Sequence, residues 1–391
     1  MYNGRPALIV FLFALIFSIS LQAQDKISEF NPVQYGVTSL NIAPDARAGS
    51  MGDVGAATDP DVNSQYWNPA KYPFTISRAG FAFSYTPWLR KLVNDIALMN
   101  AVGYYRIGDY QAISASINYF SLGDVPIHQQ NGASYSVRPY EMGIDVAYSR
   151  MLSESFSAAV ALRFIHSDMG VIDNSDLHPG STFAADLAMY WNRYIMLGQR
   201  ECNLALGMNI SNIGGKISYS GDRSVFIPTN LRIGASLLYP INEYNTFGIS
   251  FDANKLLVPT MPKKEEGEDD QEYQQRLEDD YYSISSISGI FKSFGDAPGG
   301  FSEELEEIQW SIGAEYTYHN QFSLRAGYHH ESENKGNRKY YTFGAGFRMS
   351  VFALDAGYLL SASQSNPLDQ TLRFTLSFDM DGIRDLFGRR R

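Results

Sequence analysis

From about residue 79 to near the end of the chain, apolar side chains recur at every second position in segments of roughly ten residues, the signature of strands with two unlike faces. In Asp95 to Arg106 one face carries Ile96, Leu98, Val102 and Tyr104. In Gln111 to Phe120 it carries Ile113, Ala115, Ile117 and Tyr119, with Ala112, Ser114, Ser116 and Asn118 opposite. The pattern starts at Gly80 to Trp88 and returns at Met142 to Tyr148, Phe156 to Phe164, Phe183 to Trp191, Leu204 to Ile210, Leu231 to Tyr239 and Phe247 to Phe251. Trp310 to Tyr316, Phe322 to Tyr328, Tyr341 to Phe347, Phe352 to Tyr358 and Leu372 to Phe378 complete it. The series predicts about fourteen strands, an even number that suits a closed antiparallel barrel.

A soluble sandwich also alternates, so the solvent has to be read from other features. The polar faces hold Asp145, Arg163, Asp186, Arg232, Asp252, Glu315, Arg325, Arg348, Asp355 and Arg373, and the apolar faces are almost free of charge. Lipid forbids charge outside a barrel and tolerates it inside. Tyr119, Tyr148, Trp191, Tyr239, Tyr316, Tyr328 and Tyr358 collect near predicted strand ends, where amphipathic rings meet headgroups. Short turns near Gly108, Ser153, Asn242, His319 and Met349 alternate with longer loops, the asymmetry of outer-membrane barrels. The expectation is an all-β transmembrane barrel over 79–381. Acids and bases are similarly numerous on its lumenal face, which favours pairing across a plugged interior over a channel lined by one sign.

With the first strand running outward, the outer loops fall near 88–94, 121–139, 167–180, 213–229, 257–308, 331–338 and 361–370. The fifth, 257–308, is the longest and carries KKEEGEDDQEYQQRLEDDYY. A solvated flap and a folded lid or docking surface are both open readings.

Composition adds exclusions. A net charge of -11 without a basic stripe argues against nucleic-acid binding. Arg5, the apolar run Ala7 to Ile19 and Ala23 form a secretory signal over 1–23, so the protein is expected to be exported to the outer membrane. Residues 382–391 form a basic tail. The single cysteine, Cys202, allows no internal disulfide. His128, His166, His178, His319, His329 and His330 lack metal-binding spacing. A site from His128, His166 and His178, a Ser167–His166 hydrolytic pair and a pH-sensitive His329–His330 spot are the candidates, and each reads better as ordinary strand-end polarity. No catalytic residue, cofactor site or metal site is expected.

Ahead of the barrel, residues 24–78 contain PDARAGSMGDVGAATDPDVNSQYWNPAKYP. Glycines at 49, 52 and 55 suit a tight coil packed inside the lumen. Pro69 and Pro73 bias Asn68 and Tyr72 toward extended or turn backbone, so 63–73 is expected to be neither helix nor central strand. Asn68, Pro69 and Ala70, preceded by Trp67 and by the run Arg47 to Gly52, resemble the N-terminal hatch signature of the FadL family of outer-membrane proteins. That resemblance implies a hatch at 24–78, with Trp67, Asn68, Pro69 and Ala70 as structural hatch residues, leading into a fourteen-stranded barrel.

Within the family, the lead QDKISEFNPVQYGVTS, the glycine-rich hatch and the acidic fifth loop are similar to the outer-membrane shuttle component of the Bacteroidetes type IX secretion system. This implies a non-enzymatic carrier that takes cargo by its C-terminal signal domain from a translocon barrel to a surface sortase complex. No cargo-binding residue transfers by motif. A FadL-type transporter of hydrophobic small molecules is the alternative, and an esterase acting on lipopolysaccharide a lesser one.

Overall fold

In the computed structural model, residues 30–90, 93, 95–128, 134–170, 178–220, 223–265, 267–362 and 369–381 are described. The expected signal segment 1–23 and basic tail 382–391 lie outside them. Fourteen strands close into one antiparallel barrel. They are β1 (Ala79–Pro87), β2 (Ala97–Ile107), β3 (Gln111–Ser121), β4 (Tyr140–Ser153), β5 (Phe156–Asp168), β6 (Gly180–Leu197) and β7 (Arg200–Gly214). The second half comprises β8 (Asn230–Pro240), β9 (Asn245–Leu256), β10 (Gln309–Tyr318), β11 (Phe322–His330), β12 (Tyr340–Arg348), β13 (Phe352–Ser361) and β14 (Leu372–Asp379). Each strand pairs with its sequence neighbour, and β1 closes on β14 from Gly80↔Asp379 to Tyr85↔Phe374. Closure leaves no unpaired sheet edge to face lipid.

Burial is inverted relative to a soluble protein. Phe83, Ile113, Val146, Leu162, Phe183, Ile233 and Phe343 are exposed on the outer wall, while Ser84, Ser116, Asp145, Asp252 and Thr342 are buried inside. Alternation therefore sorts apolar residues toward lipid and polar residues toward the lumen, as bilayer solvation requires.

One mouth is built from tight turns and the other from long connections. His319 and Asn320 both have positive φ, 53° and 55°, which matches the right-handed twist of the strands they join. Asn242 Oδ1 accepts from Tyr244 N and Asn245 N at 2.9 and 3.0 Å, an Asx-type turn. β6 and β7 run to Leu197 and Arg200 around Gly198, so Trp191 lies six residues short of its strand end. Sequence alternation faded where the hairpin extends past the apolar belt. At the long-loop mouth, the β3–β4 and β7–β8 connections fold into hairpins, Val125–His128 with Ser134–Val137 and Ile217–Ser218 with Ser224–Val225.

Candidate functional site

The N-terminal segment threads the lumen from the long-loop mouth to the short-turn mouth. Asn31 N donates to Asn334 O at 2.7 Å and Gly36 N to Phe226 O at 2.8 Å. Val37, at φ 54°, then turns the chain inward. Asp45 caps the short helix α1 (Ala46–Gly49) by accepting from Ala48 N at 2.9 Å. The path leaves through Thr75, whose carbonyl accepts from Arg106 Nη1 at 2.6 Å.

The segment expected to be irregular is helical: α2 (Ser64–Trp67) is followed by a 3-10 turn over Pro69–Phe74. Asn68 is extended, at φ -169°, but Tyr72 is not. Its ring stacks on Tyr104 at 4.9 Å and its hydroxyl donates to Val62 O at 2.9 Å, contacts that outweigh the local bias imposed by Pro73. Asn68 uses its whole amide, with Oδ1 accepting from Ala70 N at 3.0 Å and Nδ2 donating to Ala56 O and Met189 O at 2.9 Å each. Trp67 is buried, donates Nε1 to Asp45 Oδ1 at 2.5 Å and lies under the Arg232 guanidinium at 4.5 Å.

Wall charges act largely as receptors for this plug. Asp252 Oδ2 accepts from Gly55 N and Ala56 N at 2.8 and 2.9 Å. Arg373 binds Asp53 at 2.6 Å. Glu315 takes Arg47 at 2.8 Å and Arg325 at 2.7 Å, and Arg325 continues to Asp355 at 2.6 Å. Arg163 joins Asp186 at 2.8 Å and Asp145 at 3.3 Å, while Gln65 donates to Asp145. The interior is plugged and charge-paired, as the balance of lumenal acids and bases implies. The plug itself supplies Arg47, Asp53 and Asp61 to the network, and no periodicity in the sequence marks them. Arg348 differs from the other nine and is exposed at the short-turn mouth.

Glycines provide the clearance. A methyl group on Gly207 would stand 1.9 Å from Ala56 O, one on Gly327 2.0 Å from Met51 C, and one on Gly344 2.3 Å from Ser50 Cβ. Hatch backbone thus lies directly on wall backbone. Two gaps between plug and wall have volumes of about 20 and 10 Å³, each near the room one water needs.

At the long-loop mouth, 257–308 is a folded insert and not a loose flap. It contains α3 (Asp270–Leu277), a π-helical turn over Glu278–Tyr282, α4 (Ser286–Lys292) and α5 (Phe301–Glu306). Buried ion pairs clamp it down. Lys335 Nζ meets Glu303 at 2.6 Å and Glu307 at 3.0 Å, and Lys255 Nζ meets Glu307 at 2.6 Å and Glu304 at 2.9 Å. Asn31 Nδ2 donates to Glu303 and the Tyr281 hydroxyl to Gln34 O, both at 3.2 Å, so insert and hatch lead hold each other. Burial would raise the Glu303 carboxyl, but hydrogen bonds from Lys335 and Gly299 N hold it below its ordinary value. Asp296 goes the other way: burial, with the Glu304 and Glu307 carboxylates nearby, outweighs a hydrogen bond from Thr260 N and pushes it up to about 6. A cavity of about 230 Å³ under the insert is lined by Pro32, Val33, Tyr35, Glu307, Lys335 and Arg338, among others.

The chemical candidates are kept apart. His166 Nδ1 is 2.8 Å from Ser181 Oγ, while Ser167 is buried and its Oγ accepts from the Tyr219 hydroxyl at 2.9 Å. Neighbours in a strand point to opposite faces. The same rule separates His329, stacked on Tyr340 at 4.7 Å and bonded to Ser311 Oγ, from His330, stacked on Trp310 at 5.0 Å. His178 is exposed, and the side chain of His128 lies outside the described set. Among the described residues, no three His, Cys, Asp or Glu side chains gather as a metal site would require.

A family model described as type IX secretion system protein PorV matches residues 25–263, more than half of the chain. The chain belongs to the PorV family. The match covers the hatch and the first nine barrel strands and ends as the acidic insert begins. Among solved structures, the chain is similar in fold to the P. putida toluene transporter TodX, at 11% identity and TM-score 0.50, covering 85% of this chain and 97% of that one. A Pseudomonas aeruginosa FadL homologue aligns at 12% identity and TM-score 0.43, over 86% and 98% of the two chains. No curated protein matches the sequence. Barrel fold and PorV membership together make this an outer-membrane component of type IX secretion.

Proposed function

We propose that the protein is a non-enzymatic carrier. It receives secreted proteins by their C-terminal signal domain at the translocon barrel and passes them to the surface sortase and attachment complex. The long-loop mouth faces the cell exterior and makes the contacts. The observation carrying this reading is the folded, ion-paired insert at 257–308 on a barrel of the PorV family whose lumen is filled. A plugged interior leaves the mouth as the working surface. Trp67, Asn68, Pro69 and Ala70 serve as structural anchors of the plug. Deleting the gene and fractionating cells tests the reading: unprocessed cargo should accumulate in the periplasm, and cargo still processed and displayed at the surface would refute it.

A second reading, transport of a hydrophobic small molecule, draws on the fold shared with TodX, titled a toluene transporter. It requires the plug to move, against the buried pairs Arg373–Asp53 and Arg47–Glu315. Equal uptake of labelled toluene or fatty acid with and without the protein would exclude it.

A further inference from the structure

The last two helices of the insert, α4 and α5, turn large apolar side chains outward. On α5, Glu303, Glu304 and Glu307 just beyond it are buried, whereas Phe301 and Leu305, four positions apart on the opposite side, are exposed. On α4, Gly289 and the following Ser293 face inward, Gly289 lying against Phe226 and Pro259. Ile287, Phe291 and Phe294 occupy the other side. These five apolar side chains are 52 to 76% exposed. A helix on a water-soluble surface buries its apolar side, and large aromatic and aliphatic side chains turned outward on two successive helices of one insert point to an interaction surface.

Charge selects the occupant. Residues 257–308 contain fourteen Asp and Glu against four Lys and Arg, ten of the chain's net -11. Glu278, Asp279 and Asp280, in the turn leading toward α4, are part of that excess. A second copy would bring the same acidic insert against itself, and an outer leaflet rich in phosphate repels it. A protein face with apolar pockets rimmed by Lys and Arg is complementary in both respects.

We infer that Ile287, Phe291, Phe294, Phe301 and Leu305 form the docking surface for the secreted cargo's signal domain, recognised as an apolar face with a basic rim. This rests on the carrier reading above and adds to it the residues and the chemistry of the partner. Phe291 and Phe301, the most exposed of the five, act as the anchors.

The test uses the full chain in nanodiscs and a purified C-terminal signal domain from a secreted cargo of the same cell, with affinity read by interferometry. The F291S/F301S variant should bind at least tenfold more weakly, and V125S, altered at another exposed mouth position, should bind like the parent. Replacing Glu278, Asp279 and Asp280 by Lys should slow association at low salt and less so at high salt. Parent-like binding by F291S/F301S overturns the docking surface and leaves the carrier reading standing. No binding by the parent chain removes both.

Two further arms address the other occupants. A polarity-sensitive dye on F294C, in a C202S background reconstituted with lipopolysaccharide and phosphatidylethanolamine alone, should report a wet environment. A blue-shifted, lipid-immersed signal overturns the inference. So does a concentration-dependent dimer in sedimentation that F291S/F301S abolishes.

Discussion

Across the seam between hatch and wall, Asn68 Nδ2 donates to the backbone carbonyl of Met189 at 2.9 Å. The same buried amide satisfies Ala70 N and Ala56 O. Asn68→Ala strands one donor and two acceptors, a loss of about 3 kcal/mol or more at roughly 1 to 3 kcal/mol per unsatisfied group. Asn68→Asp keeps the bond to Ala70 N but turns a carboxylate toward two carbonyl oxygens, and should do no better. Both variants are expected to expose the hatch to protease at lower temperature in detergent. An unchanged cleavage temperature for Asn68→Ala would contradict the bridging role.

Wall glycines should differ sharply according to which backbone they meet. Gly207→Ala places a methyl 1.9 Å from Ala56 O, whereas on Gly103 the nearest atom, Gly80 O, is 3.4 Å away. Gly207→Ala is therefore expected to give an assembled barrel with a displaced, protease-sensitive hatch, and Gly103→Ala a parent-like protein. Cysteine accessibility at hatch positions measures this directly. Equal accessibility in the two variants would mean that the close approach at Gly207 does not seat the plug.

The barrel was legible because two solvents sort one alternating pattern. Ile113, Ile117 and Val146 face out, Ser114, Ser116 and Asp145 face in, and the faces could be assigned from residue type alone. Tyr72 could not be read that way, since the stack on Tyr104 joins residues brought together only by the closed fold. The partners of Arg47 were hidden for the same reason, Glu315 lying 268 positions away. At the candidate site, the acidic run announced the insert, but not that Glu303, Glu304 and Glu307 turn inward to Lys255 and Lys335 while Phe301 and Leu305 turn out. A charged residue in a loop is normally read as solvated, and here that prior is inverted.

Asp296 makes the insert sensitive to pH. Its carboxyl is raised from 3.8 to about 6 in the folded insert, so the folded state holds its proton more tightly than the open one. Stability from this group is full below about pH 4 and is lost as pH rises through 6. Glu303 runs oppositely: its carboxyl is lowered from 4.5, and its contribution is lost as pH falls below that value. Amides around Thr260 and 293–300, corrected for intrinsic exchange, should exchange more slowly at pH 5 than at pH 7.5. Asp296→Asn retains an acceptor for Thr260 N and should abolish the difference. A difference that persists in Asp296→Asn would assign the effect to another group.

Lys335 is the central cation of the clamp, bound to Glu303 and Glu307 while its side chain is 3% exposed. Lys335→Met leaves Glu303 without its cation and Glu307 with Lys255 alone, and removing one partner of a buried pair costs about 3 to 5 kcal/mol. That cost falls on the insert and the hatch lead it grips through Asn31, while the barrel ladders stay intact. Hydrogen exchange should therefore rise across 297–308 and at Asn31 to Gly36, with the heat-modified gel shift of the barrel unchanged. Adding Glu303→Gln removes the orphaned charge and should restore part of the protection, because the amide can remain bonded to Asn31. Exchange confined to Lys335 and its immediate neighbours would mean that insert and hatch lead are held independently.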